Sequence, residues 1–223
     1  MILVVGNKTY SSWSLRAWVF MDHFQIPFKE ILVKFDLPDT NKQIKKYSPS
    51  GFVPVLLDEG LAVWDTMAIM EYLNEKFPEK QMWPKDSRTR AKARAISNEM
   101  HSGFQTMREV MSHHMKKKYE NYNWSKAQKD VDRIQQIWTE CLEEHGGPFL
   151  FGNFCIADAM FAPVVNRFIT YGIPMEPIIK KYVDTIRNLP AHQKWISSAL
   201  DENFTGKSHE DHQTHLEAAY LGK

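Results

Sequence analysis

The chain has 223 residues, 43% of them hydrophobic, with thirteen Phe and seven Trp spread along its length. That is enough for a sizeable core, excludes a long disordered region, and suits a small domain joined to a larger one. A formal charge of +1 supplies no general field for nucleic acid or an anionic membrane, so neither is expected as a partner and any anion site must be local. The only cysteines, Cys141 and Cys155, are too few for a disulfide framework and lack CxxC spacing, so both are expected reduced and no metal site is expected.

Met1 leads directly into Ile2-Leu3-Val4-Val5 with no basic leader and no membrane-length apolar stretch, which predicts a cytoplasmic protein. Ile2 to Val5, ended by Gly6-Asn7, reads as a buried strand followed by a loop. Ser11-Ser12-Trp13-Ser14 can cap a helix whose Ala17, Phe20, Met21 and Phe24 recur at helical spacing. Phe28 to Phe35 reads as a second strand, and the Lys-rich stretch Asp39 to Tyr47 as a short helix before the loop Ser48-Pro49-Ser50-Gly51. Val53 to Leu57 and Leu61 to Trp64 flank Asp58-Glu59-Gly60 as a hairpin. From Asp65 onward, Ile69, Tyr72 and Leu73 share one helical face until Phe77-Pro78.

Beyond a linker from Pro78 to Asp86, strand signals nearly vanish. The spacing predicts a long helix from Ser87 to about Tyr119, another from Ser125 to Glu144, a break at Gly146-Gly147-Pro148, and a buried helix from Cys155 to Phe168. Two shorter helices follow, then a polar, His-containing tail. Met100, Phe104, Met107, Met111 and Met115 form one stripe on the long helix, either a pliable pocket wall or a core or dimer-interface stripe. His113, His114 and Lys116 to Lys118 read as a solvated helix face, and His209, His212 and His215 as a polar tail.

Four ordered motifs stand out: Tyr-Ser-Ser-Trp-Ser-Leu-Arg (10 to 16), Gly-Phe-Val-Pro-Val-Leu (51 to 56), Trp-Asp-Thr-Met-Ala-Ile-Met-Glu-Tyr-Leu (64 to 73) and Cys-Ile-Ala-Asp-Ala (155 to 159). In this order they resemble the soluble, serine-type glutathione transferases. The resemblance spans nearly the whole chain and implies an α/β thioredoxin-like N-terminal domain over residues 1–80 and an all-α C-terminal helical domain over 86–223. It also implies a homodimer and a detoxification enzyme, with glutathione as co-substrate and a small electrophile as its partner.

Glutathione's thiol is a poor nucleophile until ionised, and a hydroxyl at a helix N-terminus can stabilise the thiolate. Ser11, Ser12 and Ser14 are the candidate donors, any of which can instead be a plain N-cap. Ser-Ser-Trp-Ser-Leu-Arg is similar to the zeta-class Ser-Ser-Cys-Ser-Trp-Arg, which implies Ser11 as the activating residue and Ser12 as the second candidate, with Ser14 among the ligand contacts. Val53-Pro54, beside Phe52, can turn backbone groups toward the ligand through a cis bond and pair with its cysteinyl backbone. Asp65 and Thr66 offer a carboxylate for the γ-glutamyl ammonium and a helix N-terminus for its carboxylate. Lys34, Lys42, Lys45 and Lys46 are all open as partners of the glycyl carboxylate. Cys155-Ile156-Ala157-Asp158 resembles a capping box, a folding device. Trp13 stands where the zeta class usually has Cys, so conjugation comes first; isomerisation of a cis-dienoic acid such as maleylacetoacetate, and a non-catalytic binding module, are the alternatives.

Overall fold

The computed structural model describes residues 1–204 and 206–221. Strand β1 (Ile2–Gly6), helix α1 (Ser12–His23) and strand β2 (Lys29–Val33) form a βαβ unit, with β1 and β2 parallel and Val4 opposite Ile31. After the one-and-a-half-turn helix α2 (Thr40–Lys45), the hairpin of β3 (Val55–Asp58) and β4 (Leu61–Val63) adds antiparallel to β1, giving the order β2-β1-β3-β4. Alternation decides which side chain goes where. Val4, Val33 and Val55 meet Ile44 of α2 on one face, while Leu3, Val5 and Leu56 face α1 and α3 (Thr66–Lys76) on the other.

Helix α1 is buried almost all round from Ser12 to Met21, because the sheet lies on one side and two later helices on the other. Those helices are α7 (Ile156–Thr170), itself enclosed nearly throughout, and α9 (Pro190–Leu200). Around α7 stand α4 (Ser87–Ser102), α6 (Gln128–His145) and α8 (Pro177–Arg187). Helix α6 shows the sequence logic plainly: Val131, Ile134, Trp138, Cys141 and Leu142 line its buried stripe, and Gly146 ends it in the left-handed conformation. Both cysteines are free and buried. At the start of α7, Asp158 accepts backbone N–H bonds from Cys155 at 2.9 Å and Leu150 at 3.0 Å, the folding role expected of the fourth motif. Among the described residues no helix is long and apolar enough to cross a membrane.

Three expectations are corrected. The helix from Ser87 does not run to Tyr119: it stops at Ser102, a short helix α5 (Gln105–Val110) of the same length as α2 follows, and a loop continues from there. Phe104 is left-handed (φ 60°), and a Cβ at position 103 would lie 2.7 Å from the Glu99 carbonyl oxygen, so the turn requires glycine. The five stripe residues are all buried, but they reach the core from helix, turn and loop. His113 and His114 are not on a solvated helix face; both are buried in that loop. The His-containing tail is not plain tail but a helix, α10 (Lys207–Tyr220), folded back against the serine loop.

Candidate functional site

The turn before α1 carries the serines, and distant parts of the chain fix it. Ser11 N–H donates to Asn7 O at 2.8 Å, and the Asn7 side chain accepts from Phe35 N–H at 2.7 Å. Glu202, just beyond α9, accepts from Lys8 N–H at 2.7 Å, Thr9 N–H at 3.0 Å and the Thr9 hydroxyl at 2.8 Å. Trp195 Nε1 donates to Lys8 O at 3.1 Å, and Met115 N–H to Thr9 O at 3.0 Å. The helical part of the chain therefore sets where the α/β part presents its hydroxyls.

The three serines differ. Ser14 is fully buried; its Oγ accepts from Gly6 N–H at 3.1 Å and from the Ser11 hydroxyl at 2.8 Å, and it lines neither of the two cavities described below. Ser11 is the N-cap, accepting from Ser14 N–H at 3.3 Å while donating to Ser14 Oγ. Ser12 Oγ makes no hydrogen bond among the described residues. Tyr10, next to them, donates its hydroxyl to Glu210 at 2.5 Å; burial and that carboxylate raise its pKa, so it stays protonated and occupied.

Two cavities adjoin at this turn. One, of about 550 Å³, is lined by Ser11, Ser12, Asp36, Thr40, Asn41 and His209; the other, of about 530 Å³, by Ser50, Pro54, Asp65, Thr66 and His101. Trp13, Phe52 and Val53 line both, so they form the partition. The Val53-Pro54 bond is cis. Since β3 begins only at Val55, the Val53 N–H and C=O stand outside the ladder, and Val53 lines both cavities.

Asp65 caps α3, accepting from Met67 N–H at 3.3 Å, and its other oxygen lies 3.1 Å from His101 Nε2. Thr66 is fully buried and its hydroxyl donates to Trp13 O at 3.3 Å, which leaves its first-turn N–H as the donor available to a carboxylate. The structure thus brings Ser11, Ser12, Phe52, Val53, Pro54, Asp65 and Thr66 to one composite cleft and leaves Ser14 behind it. None of Lys34, Lys42, Lys45 and Lys46 lines either cavity.

Three contributors are not flagged as site residues by sequence reasoning. Trp13 is the shared wall, with the Arg16 and Arg108 guanidiniums 4.2 and 5.1 Å from its ring centroid. His101 meets Asp65 from α4, and His209 enters from α10; nothing in local spacing announces either meeting, which only the long-range packing creates. Asp36 bonds His209, and although burial opposes ionisation, hydrogen bonds from His209 and Ser208 hold its carboxyl below the usual range.

Residues 10–76 match the family model of the glutathione S-transferase N-terminal domain. This chain carries such a domain. The glutathione transferase fold extends past it. A Burkholderia glutathione transferase homolog, solved with bound glutathione, superposes with a TM-score of 0.70 at 25% identity, covering 90% of this chain and 98% of that one. Glutathione transferase F2 from Populus trichocarpa gives 0.70 at 18% identity over 90% and 99%, a likeness of fold. In sequence, the chain is 26% identical to a probable maleylacetoacetate isomerase of Caenorhabditis elegans over 82% of this chain and 87% of that protein, and 26% identical to glutathione S-transferase 1 of Dianthus caryophyllus over 86% and 90%. Both cavities are lined largely by residues of the matched glutathione S-transferase segment, with His101, Ser102 and His209 supplied from outside it.

Proposed function

We propose that the protein is a glutathione transferase that holds glutathione across the Trp13–Val53 partition and directs its thiolate at a small apolar electrophile. The observation that carries this reading is the pairing of two adjoining cavities, one holding the unbonded Ser12 hydroxyl and the other the Thr66 N–H beside the Asp65 carboxylate, which also caps α3 and meets His101. The γ-glutamyl end meets Asp65 and Thr66, the cysteinyl backbone pairs with Val53, and the sulfur lies by the serines. Ser12 is favoured as thiolate donor because it can give its proton without breaking a bond, whereas Ser11 must first release Ser14. Ser11 and Ser14 then hold the turn in shape. Phe52 and Pro54 supply apolar wall.

The domain division at residues 1–80 and 86–223, a homodimeric state, a cytoplasmic location and a role in detoxification belong to the same reading and rest on the family resemblance. Steady-state turnover of glutathione with 1-chloro-2,4-dinitrobenzene tests it. Ser12→Ala lowers kcat by about 10- to 100-fold with glutathione affinity changed little, because a donor to developing or resident sulfur charge acts on reactivity more than on ground-state binding. Ser11→Ala loses less. Wild-type turnover in Ser12→Ala sinks the assignment.

A second reading, glutathione-dependent isomerisation, is favoured by the relatives named maleylacetoacetate isomerase. Trp13 weighs against it, filling the space a smaller residue would leave at the partition. Isomerisation of maleylacetoacetate faster than chlorodinitrobenzene conjugation decides for this second reading.

A further inference from the structure

His209 belongs to a helix that sequence alone leaves as tail, yet its imidazole lines the cavity of Ser11 and Ser12. The ring stacks on Tyr10, with centroids 4.8 Å apart, and on Phe35, 5.3 Å apart and 12° from parallel. Asp36 orients it: one carboxylate oxygen takes His209 Nδ1 at 2.8 Å and His209 N–H at 3.2 Å, while the other takes the Ser208 hydroxyl. Gly206 permits this clasp, because a Cβ there would collide with the Asp36 carboxylate. The imidazole is therefore held on two rings and one carboxylate rather than adrift on a surface.

With Nδ1–H given to Asp36, the second ring nitrogen decides what the residue can do. Nε2 has no hydrogen-bond partner among the described residues, and the side chain is 38% exposed. A doubly protonated ring keeps its bond to Asp36 and presents Nε2–H as a charge-assisted donor in a fixed direction. Of the other polar side chains lining it, Tyr10, Ser11, Ser12, Thr40 and Asn41 are neutral, Asp36 is an acid whose two oxygens are taken up by His209 and Ser208, and Lys34, Lys42, Lys45 and Lys46 do not line it. An anion entering it meets one basic side chain.

We infer that His209, oriented by Asp36, is a carboxylate receptor in the Ser12 cavity. Two ligands can bring that carboxylate: the glycyl end of glutathione, which rests on the reading of the preceding subsection, or an acidic electrophile, which does not. The receptor makes acidic ligands bind better than their neutral esters, and the preference depends on residue 209.

The test measures affinities of wild type and His209→Gln for two acid–ester pairs. Glutathione and its glycine monoethyl ester are titrated by calorimetry; 3,5-dinitrobenzoate and its methyl ester are titrated by quenching of tryptophan fluorescence. The variant weakens one acid by about tenfold or more, the scale of one charge-assisted hydrogen bond, and leaves the matching ester within about twofold. Response in the glutathione pair assigns the glycyl end; response in the benzoate pair assigns the electrophile. Acid and ester weakened alike, or neither weakened, in both pairs overturns the inference. A wild type that ignores glutathione defeats the transferase reading, and the benzoate pair then decides the receptor alone. As a check that needs no variant fold, the His209 Cε1–H resonance of the wild type shifts with the responding acid and stays put with its ester; equal shifts also overturn the inference.

Discussion

Ser11, Ser12 and Ser14 show how one turn separates three like residues by partner. Ser14 ties strand to helix, Ser11 caps, and Ser12 keeps a free hydroxyl. Asp158 is the matching case in the core: its two backbone bonds satisfy the loop N–H of Leu150 and the N-cap N–H of Cys155. Asp158→Ala leaves both buried donors unpaired and costs about 2–6 kcal/mol in urea melts, from roughly 1–3 kcal/mol per orphaned group. Wild-type stability in that variant contradicts the role. Burial is the largest influence on this carboxyl and pushes its pKa up to about 6, against the bonds from Leu150 and Cys155. A folded-state pKa above the unfolded value of 3.8 means the fold holds the proton longer. This contribution to stability is therefore full below pH 3.8 and is lost as pH rises through about 6. The penalty of Asp158→Ala accordingly shrinks between pH 4 and pH 6.

Among the elements, α7, α8 and α9 are joined through a buried polar chain. Arg187 donates to Asn166 Oδ1 at 2.6 Å, Asn166 Nδ2 lies 3.0 Å from His192 Nε2, and His192 Nδ1 lies 3.1 Å from Ile186 O. These contacts need a neutral imidazole that donates from Nδ1 and accepts at Nε2. Burial, helped by Arg187, pulls the His192 pKa down to about 3. With the folded pKa below the unfolded 6.5, the stability is present above pH 6.5 and drains as pH falls toward 3. His192→Gln flattens the pH dependence of unfolding between pH 6.5 and 4 by up to about 1.4 kcal/mol per pH unit, one proton's worth. An unchanged slope in denaturant melts at several pH values rules this out. The same elements reach the site, since Trp195 of α9 and Glu202 after it clamp the Lys8–Thr9 backbone beside the serines.

Across the molecule, what was legible in the sequence was whatever local pattern controls. The four strands, the hairpin, the caps at Ser11 and Asp65, the capping box of Cys155 and Asp158 and the cis bond before Pro54 follow from alternation, turn residues and motif. The kink at Gly103-Phe104 did not, because the apolar spacing of Met100, Met107 and Met111 continues through it and the core accepts those side chains from helix and loop alike. His101 and His209 were illegible for a different reason: each acquires its role from a partner far along the chain, Asp65 or Asp36, and no periodicity encodes such a meeting. The composite cleft is likewise a whole-molecule property, with its serine loop held by residues near position 200. A crystal structure with glutathione tests the central claim most directly. The account predicts a tripeptide crossing the Trp13–Val53 partition, its γ-glutamyl end at Asp65 and Thr66 and its sulfur within hydrogen-bonding distance of Ser12 Oγ. A glutathione bound elsewhere, or with its sulfur out of reach of both Ser12 and Ser11, would contradict it.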